Sequence, residues 1–203
     1  MSQHEQHNGP LEERSYFDRY FETDAVKILP GEYYVTKRDV LIVTVLGSCV
    51  SVCLRDRQTG LGGMNHFMLP GNDEGLSPAS SSARYGVYAM EMLINHLLKM
   101  GAKRHNFEAK VFGGGNVLRG ITQNHVGQRN ADFVREYLHT ERVPVVAEDL
   151  LDVYPRKVYF FPASGRVLVK KLKSLNNTTL LDREMEYSMR IRKVPVAGEI
   201  DLF

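Results

Sequence analysis

Apolar positions fall into short runs before residue 80 and then into a longer helical pattern, and the two periods predict different elements. Ala25 to Leu29, Glu32 to Thr36 and Val40 to Leu46 carry β-branched and aromatic side chains between turn formers, first Pro30-Gly31 and then Lys37-Arg38-Asp39, so each is expected to be a strand. The short breaks predict antiparallel pairing among these strands. Ser48 to Asp56 alternates imperfectly and reads as a strand entered through Gly47. Arg57 to Gly60 turn the chain, and a returning strand over Gly62 to Leu69, closed by Pro70-Gly71, is expected to form a hairpin with its predecessor.

From Ser82 to Met100 the spacing is helical, with Tyr85, Tyr88, Ala89, Met92, Leu93, Leu97 and Met100 on one face and Gly101 as a stop signal. Val87, Ile94 and Leu98 are apolar too, which leaves a narrow polar side of Glu91, Asn95 and Lys99, so most of this helix is expected to be covered. A short strand at Ala109 to Phe112, the run Gly113-Gly114-Gly115-Asn116 and a helix from about Asn130 to Thr140 follow. Strands at Val143 to Ala147, Lys157 to Phe161 and Arg166 to Lys170 complete a layered α/β or α+β domain. Residues 1–14 are polar and are expected to be a disordered tail, residues 15–193 one domain, and 194–203 a C-terminal tail that packs back or serves as a binding peptide.

Composition narrows the class. The 203 residues are 43% hydrophobic and 25% charged, as in an ordinary soluble globular chain. A formal charge of +2 provides no global field for nucleic acid or anionic lipid. No apolar run approaches the ~20 residues that span a bilayer, and the N-terminus has no apolar leader core, so a cytoplasmic protein without membrane insertion is expected. Arg166, Lys170, Lys171 and Lys173, with Arg190, Arg192 and Lys193 beyond them, read first as a solvated face and second as a dock for an acidic helix. They lack the aromatic interleaving of a nucleic-acid surface.

Cys49 and Cys53 are the chain's two cysteines. Lying four residues apart in one expected strand, their backbones are separated by about 13 Å, too far for a disulfide. Free thiols agree with a reducing compartment. His4 and His7 sit in a polar tail without further ligands, and Cys53, His96, His105, His125 and His139 have no ligand spacing, so no metal site and no cofactor are expected. Gly113 to Gly115 fail the dinucleotide fingerprint because Leu118 stands at its last glycine position, and a tight turn is the expectation there.

The sharpest chemical signal is Leu46-Gly47-Ser48-Cys49 followed by Gly62-Gly63-Met64-Asn65-His66. A thiol attacks as the thiolate, and an adjacent imidazole both lowers its pKa and returns a proton to the leaving group. Gly47 lets a substrate carbonyl approach backbone amides able to hold an oxyanion. Taken alone, one cysteine and one histidine describe a small buried thiol and a satisfied core imidazole more readily than a catalytic pair.

The stretch Thr44-Val45-Leu46-Gly47-Ser48-Cys49-Val50-Ser51-Val52-Cys53-Leu54, then Gly62-Gly63-Met64-Asn65-His66-Phe67-Met68-Leu69-Pro70, closely resembles the bacterial chemoreceptor glutamine deamidase family, CheD. Lys110-Val111-Phe112-Gly113-Gly114-Gly115-Asn116 and Val126-Gly127-Gln128-Arg129-Asn130 resemble further family blocks in the right order, so the likeness runs from about Ala25 to Arg166. The resemblance implies a β-sandwich-like core flanked by helices, similar to toxin deamidases. It implies conversion of glutamine to glutamate on the cytoplasmic region of methyl-accepting chemotaxis receptors through a cysteine thioester, with Cys49 as nucleophile and His66 as base. A third polar residue would orient the imidazole, Thr44 being the first choice and Ser48 the second. Gly47, Ser48 and Asn65 are the candidates for shaping the site or its oxyanion pocket. The same acyl-enzyme logic permits attack on a glutamyl methyl ester, a methylesterase side activity, and the chemotaxis setting adds a CheC-type phosphatase as an expected partner. The rivals are a non-catalytic chemotaxis module docking receptors or that phosphatase, and a thiol sensor using Cys49 and Cys53.

Overall fold

The β-branched runs form strands close to where their pattern puts them. A computed structural model describes residues 14–70, 80–117, 126–172 and 178–193. In chain order the elements are β1 Ser15–Asp18, β2 Thr23–Lys27, β3 Tyr33–Thr36, β4 Leu41–Leu46, β5 Val50–Asp56, β6 Gly62–Asn65, α1 Ser81–Lys99, a 3-10 turn at Arg104–Asn106, β7 Phe107–Gly113, α2 Val126–Thr140, β8 Val145–Leu150, β9 Arg156–Phe161, β10 Arg166–Lys171 and α3 Thr178–Lys193. The strands make two five-stranded sheets, β1-β2-β4-β9-β10 and β3-β6-β5-β7-β8. Sheet on sheet with added helices is an α+β architecture, as expected.

The sheets close on each other through Ile42, Leu46, Val158 and Phe160 of the first and Cys53, Met64 and Phe112 of the second. The second sheet's other face packs Val52, Leu54 and Val111 against Met90, Leu93, Ile94 and Leu97 of α1 and Phe133, Val134 and Leu138 of α2. β5 is therefore covered on both sides, which is why its sequence alternates so poorly. Asp56 ends β5 as a buried carboxylate that accepts hydrogen bonds from the amides of Gln58, Thr59 and Lys103, closing the turn the sequence announces.

Several expectations are corrected. β2, β3 and β4 are not a run of antiparallel neighbours: β3 pairs antiparallel with β6 in the second sheet, and β2 pairs in parallel with β4. A break of a few residues spans the gap between packed sheets as readily as it closes a hairpin, so loop length does not distinguish the two. At Gly31, with φ +88, the amide bonds the His66 carbonyl of the other sheet. In α1 the buried stripe runs through Met90, Leu93, Ile94 and Leu97, whereas Tyr88 and Met100 are exposed. The helix is apolar around most of its circumference, so its period could not select a face. Gly86 selects it, because a Cβ there would lie 2.4 Å from the Phe133 ring.

α2 begins at Val126 rather than Asn130, β6 ends at Asn65 rather than Leu69, and β1 and α3 were not foreseen. Arg14 already belongs to the body, where its guanidinium pairs with Glu32. The expected tails over residues 1–13 and 194–203 lie outside the described residues, as do His4, His7, Leu118, His125 and Lys173. Much of the basic stretch is engaged locally: Arg166 stacks 4.2 Å from the Phe161 ring centre, and Lys171 pairs with Asp152 at 3.0 Å and Asp149 at 3.6 Å. No described helix is long and apolar enough to cross a membrane.

Arg156 joins the sheets at one corner. From β9 its buried guanidinium donates to the Asp149 carboxylate at 2.9 Å and to the carbonyls of Asp149 and Leu151, at the end of β8 in the opposite sheet. It also holds the left-handed backbone of Leu151 and Asp152, φ 66 and 73. Removing Arg156 leaves two carbonyls without their donor and a partly exposed Asp149 with Lys171 alone, which costs about 2 kcal/mol. Arg156→Met is expected to lose that much in urea unfolding, and Lys171→Met, at a solvated pair, measurably less.

Candidate active site

The site forms where the chain leaves one sheet for the other. β4 ends at Leu46, the backbone crosses through Gly47 and Ser48, and Cys49 leads into β5. The pairing of Cys53 with Met64 and of Val50 with Phe67 sets His66 opposite Ser51 and diagonal to Cys49, facing the layer between the sheets. Thr44 enters that layer from β4 of the opposing sheet. The His66 amide donates to the Glu32 carbonyl at 2.9 Å and its carbonyl accepts from Gly31 at 2.7 Å, so its backbone is fixed from the β3 side.

Hydrogen bonding settles the tautomer. Thr44 Oγ1 donates to the Ile28 carbonyl at 2.9 Å and lies 2.8 Å from His66 Nδ1. A hydroxyl has one proton, already given to Ile28, so Nδ1 carries hydrogen and donates to Thr44. Nε2 then bears the lone pair, and it is buried without a partner. A His66 ring nitrogen, Cys49 Sγ and a Glu184 carboxylate oxygen all lie within 4.8 Å of one another.

Glu184 comes from α3. Its Oε1 accepts the amides of Gly47 at 2.8 Å and Cys49 at 3.2 Å, and its Oε2 accepts the Ser48 amide at 2.9 Å and hydroxyl at 2.7 Å. Successive amides aimed at one point are an anion-binding nest. Ser48 thus contacts the carboxylate and leaves the imidazole to Thr44. A thiol, an imidazole and a carboxylate this close would be a ligand set for a metal, but each carboxylate oxygen already accepts two protein donors, and hydrogen bonds account for the cluster.

The nest is aimed from behind. The Gly47 carbonyl accepts from Gly115 at 2.7 Å, the Ser48 carbonyl from Asn130 Nδ2 at 2.8 Å, and the Cys49 carbonyl from Gly114 at 2.7 Å. Since a trans peptide points its N–H opposite its C=O, fixing the carbonyls of residues 47 and 48 aims the amides of 48 and 49 forward. Gly113 has φ +111, and a Cβ there would stand 2.2 Å from the Cys49 carbonyl, so the glycine run lets two backbones meet. The expected tight turn by the site is thus a clamp. Asn65 shapes the site from outside the nest: its Oδ1 accepts from Val52 at 2.9 Å and its Nδ2 donates to the Ala89 carbonyl at 3.3 Å, joining the hairpin to α1.

Electrostatics in this state favour neutral partners. Burial lowers the His66 pKa to about 3. Burial first, and then the charge and hydrogen bond of Glu184, push the Cys49 thiol well up. Cys53 is also buried and its thiol raised by burial, which disfavours a sensor that needs accessible thiolates. Beside His66 opens a cavity of about 210 Å³ lined by Tyr33, Asn65, Tyr85, Tyr88 and Met92, so the α1 residues expected in the core instead flank the site.

Glu184, Asn130 and the Tyr187–Tyr85 hydroxyl pair were missed in the sequence. Asn130 reads in the sequence as a helix start and the glycines as a turn, neither as a carbonyl clamp, and Glu184, 135 residues from Cys49, carries no sequence signal.

A thiol, an imidazole within 4.8 Å of it and converging amides are the parts a thiol-dependent acyl-transfer centre would need. The family model described as CheD chemotactic sensory transduction matches residues 68–171. The chain is 63% identical over 202 residues to the "Probable chemoreceptor glutamine deamidase CheD" of Thiobacillus denitrificans, covering 97% of this chain and 100% of that one. It is 65% identical over 191 residues to the protein of the same name from Herminiimonas arsenicoxydans, covering 93% of each. This chain belongs to the CheD family. Among solved structures, the Bacillus licheniformis hypothetical protein YfiH overlaps 60% of this chain and 49% of that one at 14% identity and a TM-score of 0.38, too little to define a shared fold.

Unfolded, His66 binds a proton below its ordinary value of 6.5, whereas folded it refuses one until about pH 3. The folded state therefore loses stability as pH falls through that window, by about 1.4 kcal/mol per unit. Denaturation series run at about pH 6 and about pH 4.5 should show a shallower acid loss for His66→Gln than for the native chain. Gly113→Ala is expected to destabilise by about 2 kcal/mol or more in the same assay, from the left-handed backbone and the carbonyl contact together.

Proposed function

We propose that this chain is a deamidase of the cytoplasm that converts glutamine to glutamate on the cytoplasmic region of methyl-accepting chemotaxis receptors. The observation that carries the mechanism is the Thr44 to His66 hydrogen bond, which leaves Nε2 as the free base beside Cys49 and the amide nest.

His66 Nε2 takes the Cys49 proton as sulfur bonds to the carboxamide carbon of the substrate glutamine. The oxygen gains negative charge and is held by the Ser48 and Cys49 amides. The imidazolium, steadied through Nδ1–H by Thr44, gives its proton to nitrogen; the C–N bond breaks and ammonia leaves. Water, deprotonated by the same Nε2, attacks the thioester, the C–S bond breaks, and glutamate and the thiol are restored. In this scheme Cys49 and His66 are catalytic residues, and Thr44, Asn130 and Gly113 to Gly115 are positioning residues. The aromatic and methionine lining beside His66 suits the apolar side chains flanking a glutamine on a receptor helix.

Two finer points extend the proposal. A glutamyl methyl ester offers the same acyl carbon with methanol as leaving group, so methylesterase side activity follows from the chemistry. A CheC-type phosphatase is the proposed second partner, on the strength of family resemblance.

Mass spectrometry of a receptor cytoplasmic fragment should show specific glutamines converted by the native chain and none converted by Cys49→Ala or His66→Ala. Thr44→Val should lower kcat by about tenfold or more, because the imidazole tautomer is no longer fixed. Receptor binding without conversion by the native chain would leave a docking module instead.

A further inference from the structure

We infer that α3 is an intramolecular occupant of the substrate site, with Glu184 held where the glutamate product would lie, so that the chain rests in a self-inhibited state which a receptor helix displaces. The inference rests on the deamidase function proposed above.

The species in the nest carries the argument. A glutamate on a helix is what deamidation of a helix-borne glutamine leaves behind, and this chain places one against its own Cys49 and amide nest. The side chain is 1% exposed, and among the described residues no cation pairs with it. A buried carboxylate held by neutral donors alone belongs in a pocket built to accept negative charge. In the reaction that pocket receives the oxyanion. At rest it is filled.

Among the described side chains of α3, Glu184, Tyr187 and Ile191 are buried, at helical spacing, and Leu180 and Ser188 are half-buried, while Asp182, Arg183, Met185, Glu186, Met189 and Arg190 are exposed. The Tyr187 ring lies over Gly31, where a Cβ would be 3.0 Å away, and its hydroxyl meets that of Tyr85 on the α1 flank of the cavity beside His66. A helix from outside that presents the same groups can exchange with α3, and Cys49, 0% exposed, becomes reachable only when it does. The raised thiol agrees, since a nucleophile facing a carboxylate stays protonated.

Exchange makes α3 a competitor joined to the enzyme, so weakening it lowers KM and leaves kcat unchanged. Glu184→Ala and Tyr187→Ala are expected to lower KM for a receptor fragment about fivefold or more, and to speed alkylation of Cys49 by iodoacetamide about tenfold. Cys53 alkylation, unchanged, reports an intact fold. Glu184→Gln supplies the substrate in place: Cys49 sulfur bonds to the side-chain carbon at 184, ammonia leaves with the transferred proton, and water releases a carboxylate. Peptide mass spectrometry should find the acid at 184 in the E184Q protein and the amide in E184Q combined with Cys49→Ala.

Unchanged KM and unchanged Cys49 alkylation in both variants, on a chain that deamidates receptors, would overturn the inference and spare the deamidase. Loss of kcat in Glu184→Ala would overturn it too, making Glu184 a positioning residue. Faster Cys49 alkylation with no conversion of receptors or of the amide at 184 would retain the occupant and remove the deamidase.

Discussion

Three consecutive peptide groups, at Gly47, Ser48 and Cys49, are held by their carbonyls, and the rest of the site depends on that restraint. Gly115, Asn130 and Gly114 each donate to one of them. Carbonyls tied back leave amides turned forward, because the peptide is planar and trans. The donors come from the β7 end and from α2, so both helix packing and the glycine run serve a stretch of backbone remote from them in sequence. Without them the crossing between sheets would be an ordinary loop, free to reorient its N–H groups toward water.

The second restraint spans the sheets. Thr44 projects from one and His66 from the other, and their hydrogen bond forms only because the sheets pack at the spacing set by the side chains between them. This burial has two effects. It holds one imidazole nitrogen to Thr44 and leaves the other free, and it makes the charged forms of both imidazole and thiol costly. The resting dyad is therefore neutral, and in the proposed mechanism its ion pair must be stabilised by what enters the nest.

Glu184 occupies that nest from a helix that supplies none of the residues given catalytic or positioning roles in the proposed mechanism. Thr44, Cys49, His66 and the clamping residues lie within residues 44–130, and α3 begins at Thr178. Among its described side chains the helix buries a carboxylate, a tyrosine and one isoleucine against the body. The proposed regulation and the proposed chemistry thus draw on separate parts of the chain.

By itself the sequence determined most of the strands, the α1 helix with its stop at Gly101, and the cysteine and histidine on neighbouring elements, because these follow from local period, turn residues and the short span of one hairpin. It also determined the family, through blocks that run in order along the chain. It did not determine which strands share a sheet, because a short break either reverses the chain or carries it to the facing sheet. Nor could it choose the buried side of α1, where apolar residues surround the helix and contact between Gly86 and the Phe133 ring decides. Thr44 became the partner of His66 only when the packed sheets fixed their distance, and Ser48 the partner of a carboxylate only when α3 docked. α3 was hidden because its buried stripe contains a glutamate, which any reading of hydrophobic pattern assigns to solvent, and whose partners lie more than a hundred residues away. Local pattern reports what neighbouring residues prefer, and only tertiary packing decides which distant amides converge to make a buried charge tolerable.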